Sequence, residues 1–257
     1  MRLRLPYARR SHAAALAVLL LLVVACLLVN PASSPRRPAE SAPSRTAVTP
    51  RPERHQSPRP VIVPRAAWRA ETVTTAPAAR YAPTVKAAVI HHTSTPNGYD
   101  CASVPRLLRG LYAGHAFGRH WDDIGYNFLV DACGIIYEGR AGGVDRAVVG
   151  AHTKGFNEGT VGIAAIGTFT EGVRVPEPML NAIARLVAWK LDPAGPDPRG
   201  TVPLVSTNDE SRFPKGTQAR LPVVGGHTDG YPTRCPGDAL YARLPDVAAR
   251  VARLQHR

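Results

Sequence analysis

GGHTDGYPTRCPGD, residues 225–238, sets His227, Asp229 and Cys235 in a run of glycine, proline and small polar residues. The residues leading into it, Leu221 to Gly225 (LPVVG), read as a strand, so His227 stands where the chain leaves a sheet. Side chains at strand ends gather over one edge of a sheet, which is where open α/β folds place ligands. His227 and Cys235 are eight residues apart. That is no short metal-finger spacing, so a site built on this loop must be completed from elsewhere.

Outward from the loop, apolar runs alternate with helical patterns. Ala87 to His92 (AAVIHH) reads as a buried strand with a polar end; alternation sends His91 and His92 to opposite faces, and only one of them can join His227 and Cys235. Tyr126 to Asp131 (YNFLVD) and Ile135 to Glu138 (IIYE) read as a hairpin, and Thr160 to Phe169 as a further strand whose glycines indicate close backbone approach. Helices are expected over Pro105–His115 and Pro178–Lys190, and in the tail on Leu240 and Leu244 and then, after a break at Pro245, on Val247, Val251 and Leu254. Asp192 to Arg220 reads as a long surface loop. Strands interleaved with helices, with a hairpin among them, imply an α/β fold: a central mixed sheet flanked by helices.

The chain's front is different. Arg2, Arg4, Arg9 and Arg10 precede the apolar run Ala13 to Val29, the layout of a signal peptide or signal anchor over residues 1–30, with membrane anchoring through 13–29 as one outcome. VVAC (23–26) loosely resembles a lipoprotein box, and Arg9-Arg10 a twin-arginine signal. Residues 31–60, rich in Pro, Ser and Arg, read as a solvated tether, leaving 61–257 as the folded domain. Of the net charge of +13, residues 1–60 hold +8 (10 Arg against Glu40 and Glu53), and the rest holds +5 (22 Lys and Arg against 17 acids). The folded part has no basic cluster interleaved with aromatics, so no nucleic-acid partner is expected.

Outside the leader the cysteines are Cys101, Cys133 and Cys235. An odd number in an oxidising compartment means a disulfide plus a thiol with another task, or an intermolecular bridge. The expectation is a Cys101–Cys133 bridge with Cys235 left as a thiolate; the alternative is three buried thiols. Zinc accepts neutral imidazole and thiolate, and a catalytic site uses three protein ligands with one position open to water. One histidine of the 87–92 strand, with His227 and Cys235, would make that set. Spacing alone leaves the plainer reading standing, surface histidines and a structural cysteine.

VIHHT (89–93), WDDIGYNFLVD (121–131), IYEGRAGG (136–143), GAHTKGFNEGTVGIAAIGTF (150–169) and GHTDGYPTRCPGD (226–238) occur in this order. Together they resemble the signature blocks of the peptidoglycan recognition protein and N-acetylmuramoyl-L-alanine amidase superfamily, bacteriophage-lysozyme type. VPRAAW (63–68) resembles its opening segment, and the likeness covers about 61–245. The resemblance implies that fold, a Zn2+ cofactor held by His91, His227 and Cys235, and catalytic roles for Tyr126 and Thr233. It sets His115, His152 and Asn157 along a substrate groove, and Arg119 and Trp121 where the third residue of a stem peptide is read. An arginine there suits the extra carboxylate of a diaminopimelate. Each residue also has a structural alternative: packing for Tyr126, a turn for Thr233, a solvated surface for Arg119, loop fixing for Asp229, core or hydrogen-bonding duty for His92.

The implied reaction is hydrolysis of the amide between N-acetylmuramic acid and L-alanine in peptidoglycan, with Tyr126 donating to the developing oxyanion or orienting the water and Thr233 as its smaller partner. No carboxylate in the five blocks is an obvious general base. Noncatalytic family members commonly lose the cysteine, typically to serine, and Cys235 is present; a noncatalytic peptidoglycan-binding module, or a scaffold with a vestigial domain, is the alternative. Two positions depart from the pattern: Thr228, where many bacterial members carry arginine, and Arg69, where a glycine usually follows the tryptophan. A bridge between Cys101 and Cys133 would pin the first helix to the sheet and contribute on the order of 3–4 kcal/mol. A secreted or envelope-held monomer is expected.

Overall fold

Alternating side chains along short strands separate two buried layers. The strands of the computed structural model are β1 (Ile62–Val63), β2 (Ala87–His92), β3 (Phe128–Val130), β4 (Ile136–Glu138), β5 (Thr160–Ala165), β6 (Thr201–Val205), β7 (Gln218–Pro222) and β8 (Val224–Gly226). Residues 57–76, 78–191 and 195–257 are described; the apolar run 13–29 and most of the 31–60 segment lie outside them. Six strands form one sheet in the order β1-β4-β3-β5-β2-β8, antiparallel between β3 and β4 and parallel elsewhere, so the expected mixed sheet is present.

Among the described residues the α-helices in chain order are α1 (Val104–Ala113), α2 (Glu177–Lys190), α3 (His227–Gly230), α4 (Asp238–Tyr241) and α5 (Leu244–Leu254). Ile90, Phe128, Val130, Ile136 and Ile163 enter the larger core with α2 and α5. Leu129, Tyr137 and Ala164, the alternate positions, enter a second core with Trp68 and the Leu108–Tyr112 face of α1. His91 follows Ile90 and is in register with Ala164, which places it on the α1 side of the sheet. Among the described residues no helix is long and apolar enough to cross a membrane.

Three expectations need correction. The 192–220 segment is no loop throughout: β6 and β7 form an antiparallel hairpin, a sheet of their own. Val202, Leu204, Ala219 and Leu221 are buried while their neighbours face solvent, a period of two hidden by Pro203 and by the polar residues between the strands. LPVVG is likewise two strands, because Pro222 has no N–H to continue a ladder; it pairs with Thr201 in the small sheet, and Val224 pairs with Ala88 in the large one. Pro245 begins α5 rather than breaking a helix, since a first-turn N–H has no intrahelical partner to lose. Packing against the domain also extends to Ser57, whose hydroxyl donates to the Leu254 carbonyl at 3.2 Å, and to Arg59, whose guanidinium lies over Trp189.

Cys101 and Cys133 are joined, across 32 residues, and tie the turn before α1 to the β3–β4 hairpin. Arg69, where a glycine is usual, holds φ 59° and ψ 48°, the left-handed region in which a Cβ crowds the following carbonyl. Arg69→Gly is expected to raise unfolding free energy by up to about 1 kcal/mol, and Cys101→Ser with Cys133→Ser to lower it by about 2–4 kcal/mol. Urea unfolding of the three proteins checks both.

Candidate functional site

Strand β8 ends at Gly226, and His227 opens the single turn α3. Three contacts close the loop behind it. The Thr228 N–H donates to the Cys235 carbonyl at 2.9 Å, the Gly226 N–H to Asp229 Oδ2 at 2.7 Å, and the Tyr241 hydroxyl to Asp229 Oδ1 at 2.7 Å. Asp229 therefore fixes the loop, which turns His227 and Cys235 toward the end of β2. There His91, His227 and Cys235 each offer one donor atom, all within 4.8 Å of one another. His91 Nδ1 lies 3.8 Å from Cys235 Sγ, and the His91 and His227 rings are 4.5 Å apart between centroids. His92 stays out of the set: its backbone N–H donates to Cys235 Sγ at 3.3 Å, while its ring meets Ser94.

Burial decides the protonation of the cluster. It holds His91 well below the usual imidazole value, and His227, His152 and His92 repel a proton further. His227 is lowered to about 4, by burial first and then by His92. Both imidazoles are neutral at pH 7, with lone pairs to offer. Burial pushes the Cys235 thiol up to about 12, offset in part by the His92 N–H. A cation among the three donors would favour the thiolate, as coordination does for thiols in general. Two neutral imidazoles and a sulfur around one point suit zinc in kind and in number.

Hydrogen bonds settle which His91 nitrogen faces the cluster. The Thr160 hydroxyl donates to the Phe156 carbonyl at 2.5 Å, so its oxygen accepts from His152 Nε2, at 3.5 Å. His152 Nδ1 is then an acceptor, shared by the Thr153 hydroxyl at 3.0 Å and the His91 Nε2–H at 3.2 Å. The His91 Nδ1 lone pair is left facing Cys235. Gly162 makes room for this arrangement, because a Cβ there would lie 2.3 Å from the His152 ring.

An open groove of about 590 Å3 runs past the cluster. His115, Arg119, Trp121, Tyr126, His152 and Thr233 all line it; Asn157 does not. The Asn157 carboxamide oxygen instead accepts from the His152 and Thr153 N–H groups, at 2.8 and 2.9 Å, and shapes the turn that carries His152. Burial and the Cys235 sulfur raise the Tyr126 phenol well above its usual value, which keeps it a donor, and among the described residues its hydroxyl has no hydrogen-bond partner. Thr233 Oγ1 accepts from the Cys235 N–H at 3.2 Å and so keeps its own proton to give. His115 Nδ1 accepts from the Gly125 N–H at 3.1 Å; burial and Arg119 lower it to about 4, leaving a neutral ring with its proton on Nε2. The Arg119 guanidinium lies 5.0 Å above the Trp121 ring.

The sequence profile of the N-acetylmuramoyl-L-alanine amidase family matches residues 81–238, a span that contains the whole cluster. The chain belongs to this family. Peptidoglycan-recognition protein LE of Drosophila melanogaster is 39% identical over 127 residues, 49% of this chain and 35% of that protein. N-acetylmuramoyl-L-alanine amidase of Sus scrofa is 36% identical over 188 residues, 72% of this chain and 27% of that protein. A crystal structure of peptidoglycan recognition protein-LE in complex with tracheal cytotoxin, a monomeric diaminopimelic acid-type peptidoglycan, superimposes with a TM-score of 0.54 at 30% identity, covering 72% of this chain and 92% of that one. The matches span about a third to two thirds of the first curated relatives' own lengths.

Within this amidase-family domain, Thr228 takes part in a contact the sequence does not announce. Arg212, from the loop after β6, donates through Nη2 to Thr228 Oγ1 at 3.1 Å and through Nε to the Thr228 carbonyl. A guanidinium therefore reaches this position from a distant segment. Tyr231 stacks on His227 with centroids 5.2 Å apart, a second support visible only in three dimensions. The GAH block quoted in the sequence did flag His152, though as a groove residue and not as the partner of His91.

His115 carries a consequence for acid stability. Its folded-state pKa of about 4 lies below the unfolded value, so between about pH 6.5 and 4 the unfolded chain binds the extra proton and stability falls as pH falls. Urea unfolding of metal-free protein at pH 7 and pH 4 is expected to show His115→Gln losing about 2–3 kcal/mol less than the wild type over that interval.

Proposed function

We propose that this domain is a zinc-dependent N-acetylmuramoyl-L-alanine amidase acting on bacterial peptidoglycan outside the cytoplasm. The carrying observation is the convergence of His91, His227 and Cys235 on one point at the wall of a groove that also presents Tyr126 and Thr233. Family membership and the muropeptide bound by the neighbouring recognition protein support the substrate class. The Cys101–Cys133 bridge supports an oxidising compartment.

His91, His227 and Cys235 would hold the zinc ion, which when bound acts as a Lewis acid toward the scissile carbonyl and makes a nucleophile available at neutral pH. The remaining work falls to the chain. Arg119, stacked on Trp121, pairs with an acidic group of the stem peptide and fixes its direction along the groove. The neutral His115 donates from Nε2 to the bound peptide. As the amide carbonyl becomes tetrahedral, the Tyr126 phenol, kept protonated by burial, donates to the oxygen that gains charge, and the Thr233 hydroxyl does so from the Cys235 side. His152 keeps His91 in one tautomer throughout.

Digestion of purified muropeptides by the full chain, with and without a chelator, tests the reading, with cleavage and its loss on chelation as the expected result. Tight binding without cleavage in zinc-loaded protein would instead identify a recognition module. Cys235→Ser is expected to abolish cleavage and to lower bound zinc measured by mass spectrometry. Tyr126→Phe is expected to lower kcat about 100- to 1000-fold with little change in KM, since its hydroxyl acts on charge that exists only in the transition state.

A further inference from the structure

His91 stands on β2, which is paired on both sides, and its ring is held from behind by His152. His227 and Cys235 have no such frame, because both stand on the loop that follows β8. Thr228 lies between them and touches both neighbourhoods. It follows His227 directly, and its N–H donates to the Cys235 carbonyl at 2.9 Å, so a displacement of its backbone moves both donors. Arg212 closes on this residue with a fork: Nη2 donates to Thr228 Oγ1 at 3.1 Å, and Nε donates to the Thr228 carbonyl. The two donors are rigidly spaced on one planar guanidinium, so satisfying both fixes the direction of the Thr228 carbonyl as well as its position.

The arginine is itself anchored. Its N–H donates to the Gly230 carbonyl at 3.0 Å, the Phe213 ring meets Phe156 edge to face at 6.0 Å between centroids, and the Thr207 N–H donates to the Gly155 carbonyl at 2.9 Å. The segment that carries Arg212 therefore rests on the 152–157 block, which also supplies the hydrogen-bond partner of His91. Resting on the zinc reading above, we infer that Arg212 is a positioning residue for the metal: it touches none of the three ligands, and by holding Thr228 it keeps His227 and Cys235 in the arrangement that a zinc ion needs. A loop ordered before the ion arrives loses less conformational freedom on binding it, so the clamp acts on affinity.

Zinc affinity of the full chain is measured by competition with a chromophoric chelator, with urea unfolding of the metal-free protein in parallel. Arg212→Ala is expected to weaken zinc binding about 10- to 100-fold. Arg212→Lys, whose compact ammonium lacks the planar fork, is expected to recover only part of that loss. Thr228→Val keeps the carbonyl and removes the hydroxyl; it is expected to weaken binding about three- to tenfold, and to add little in the Arg212→Ala background, as two halves of one contact do. A role in stability alone would lower the unfolding midpoint of Arg212→Ala and leave its zinc affinity unchanged, and that result overturns the assignment, as do fully additive losses in the double variant. Should Arg212→Ala fail to fold, Arg212→Lys and Thr228→Val carry the test, and wild-type affinity in both overturns it. A wild type that takes up no zinc removes the zinc reading itself, and this inference with it.

Discussion

A buried imidazole can offer a lone pair to a metal from a fixed direction only when its other nitrogen is held, and the His91–His152 hydrogen bond meets that requirement here. Much of the domain can be traced to it. Gly162 lacks a side chain so that the His152 ring can lie against β5, Thr160 spends its proton on a carbonyl so that its oxygen can receive His152, and Asn157 folds the turn that brings His152 into place. The sheet supplies the register: β2 runs beside β5 over its whole length, which sets His91 against Ala164 on the face that α1 covers.

The opposite side of the cluster is built from a loop, and loops need other restraints. Asp229 ties Gly226 to Tyr241, Thr228 reaches the Cys235 carbonyl, Tyr231 stacks on His227, and Arg212 grips Thr228 from outside. The segment between α2 and β8 therefore does more than connect. Its β6–β7 hairpin buries four apolar side chains in the main core, Thr207 bonds to the Gly155 carbonyl, and Arg212 bonds to the Gly230 carbonyl, so one loop clasps both the His152 block and the His227 block.

Electrostatics and topology act in the same direction. Burial keeps His91, His227, His152 and His115 neutral near pH 7, and it keeps Tyr126 protonated. Ligands need their lone pairs free and an oxyanion needs donors, and one desolvated groove provides both conditions. Among the residues that line the groove, Arg119 and Arg234 are the cationic ones.

The amino-acid order by itself determined the strand–helix alternation, the amphipathic faces of α1 and α2, and the residue types of the cluster, because hydrophobic period and donor chemistry are local properties. The blocks around His91, Tyr126 and His227 were legible through their resemblance to the superfamily's signature blocks, since spacing alone left surface histidines and a structural cysteine as the plainer reading. Tertiary structure decided what depends on pairing across long separations. It showed that 192–220 contains a hairpin although Pro203 and Pro222 break its pattern, that Pro245 starts a helix, and that Asn157 serves a turn. It also showed that His152, 61 residues from His91, binds the back of that ring. Tautomers and hydrogen-bond direction are set by which neighbour has already given its proton, and only the folded chain brings those neighbours together.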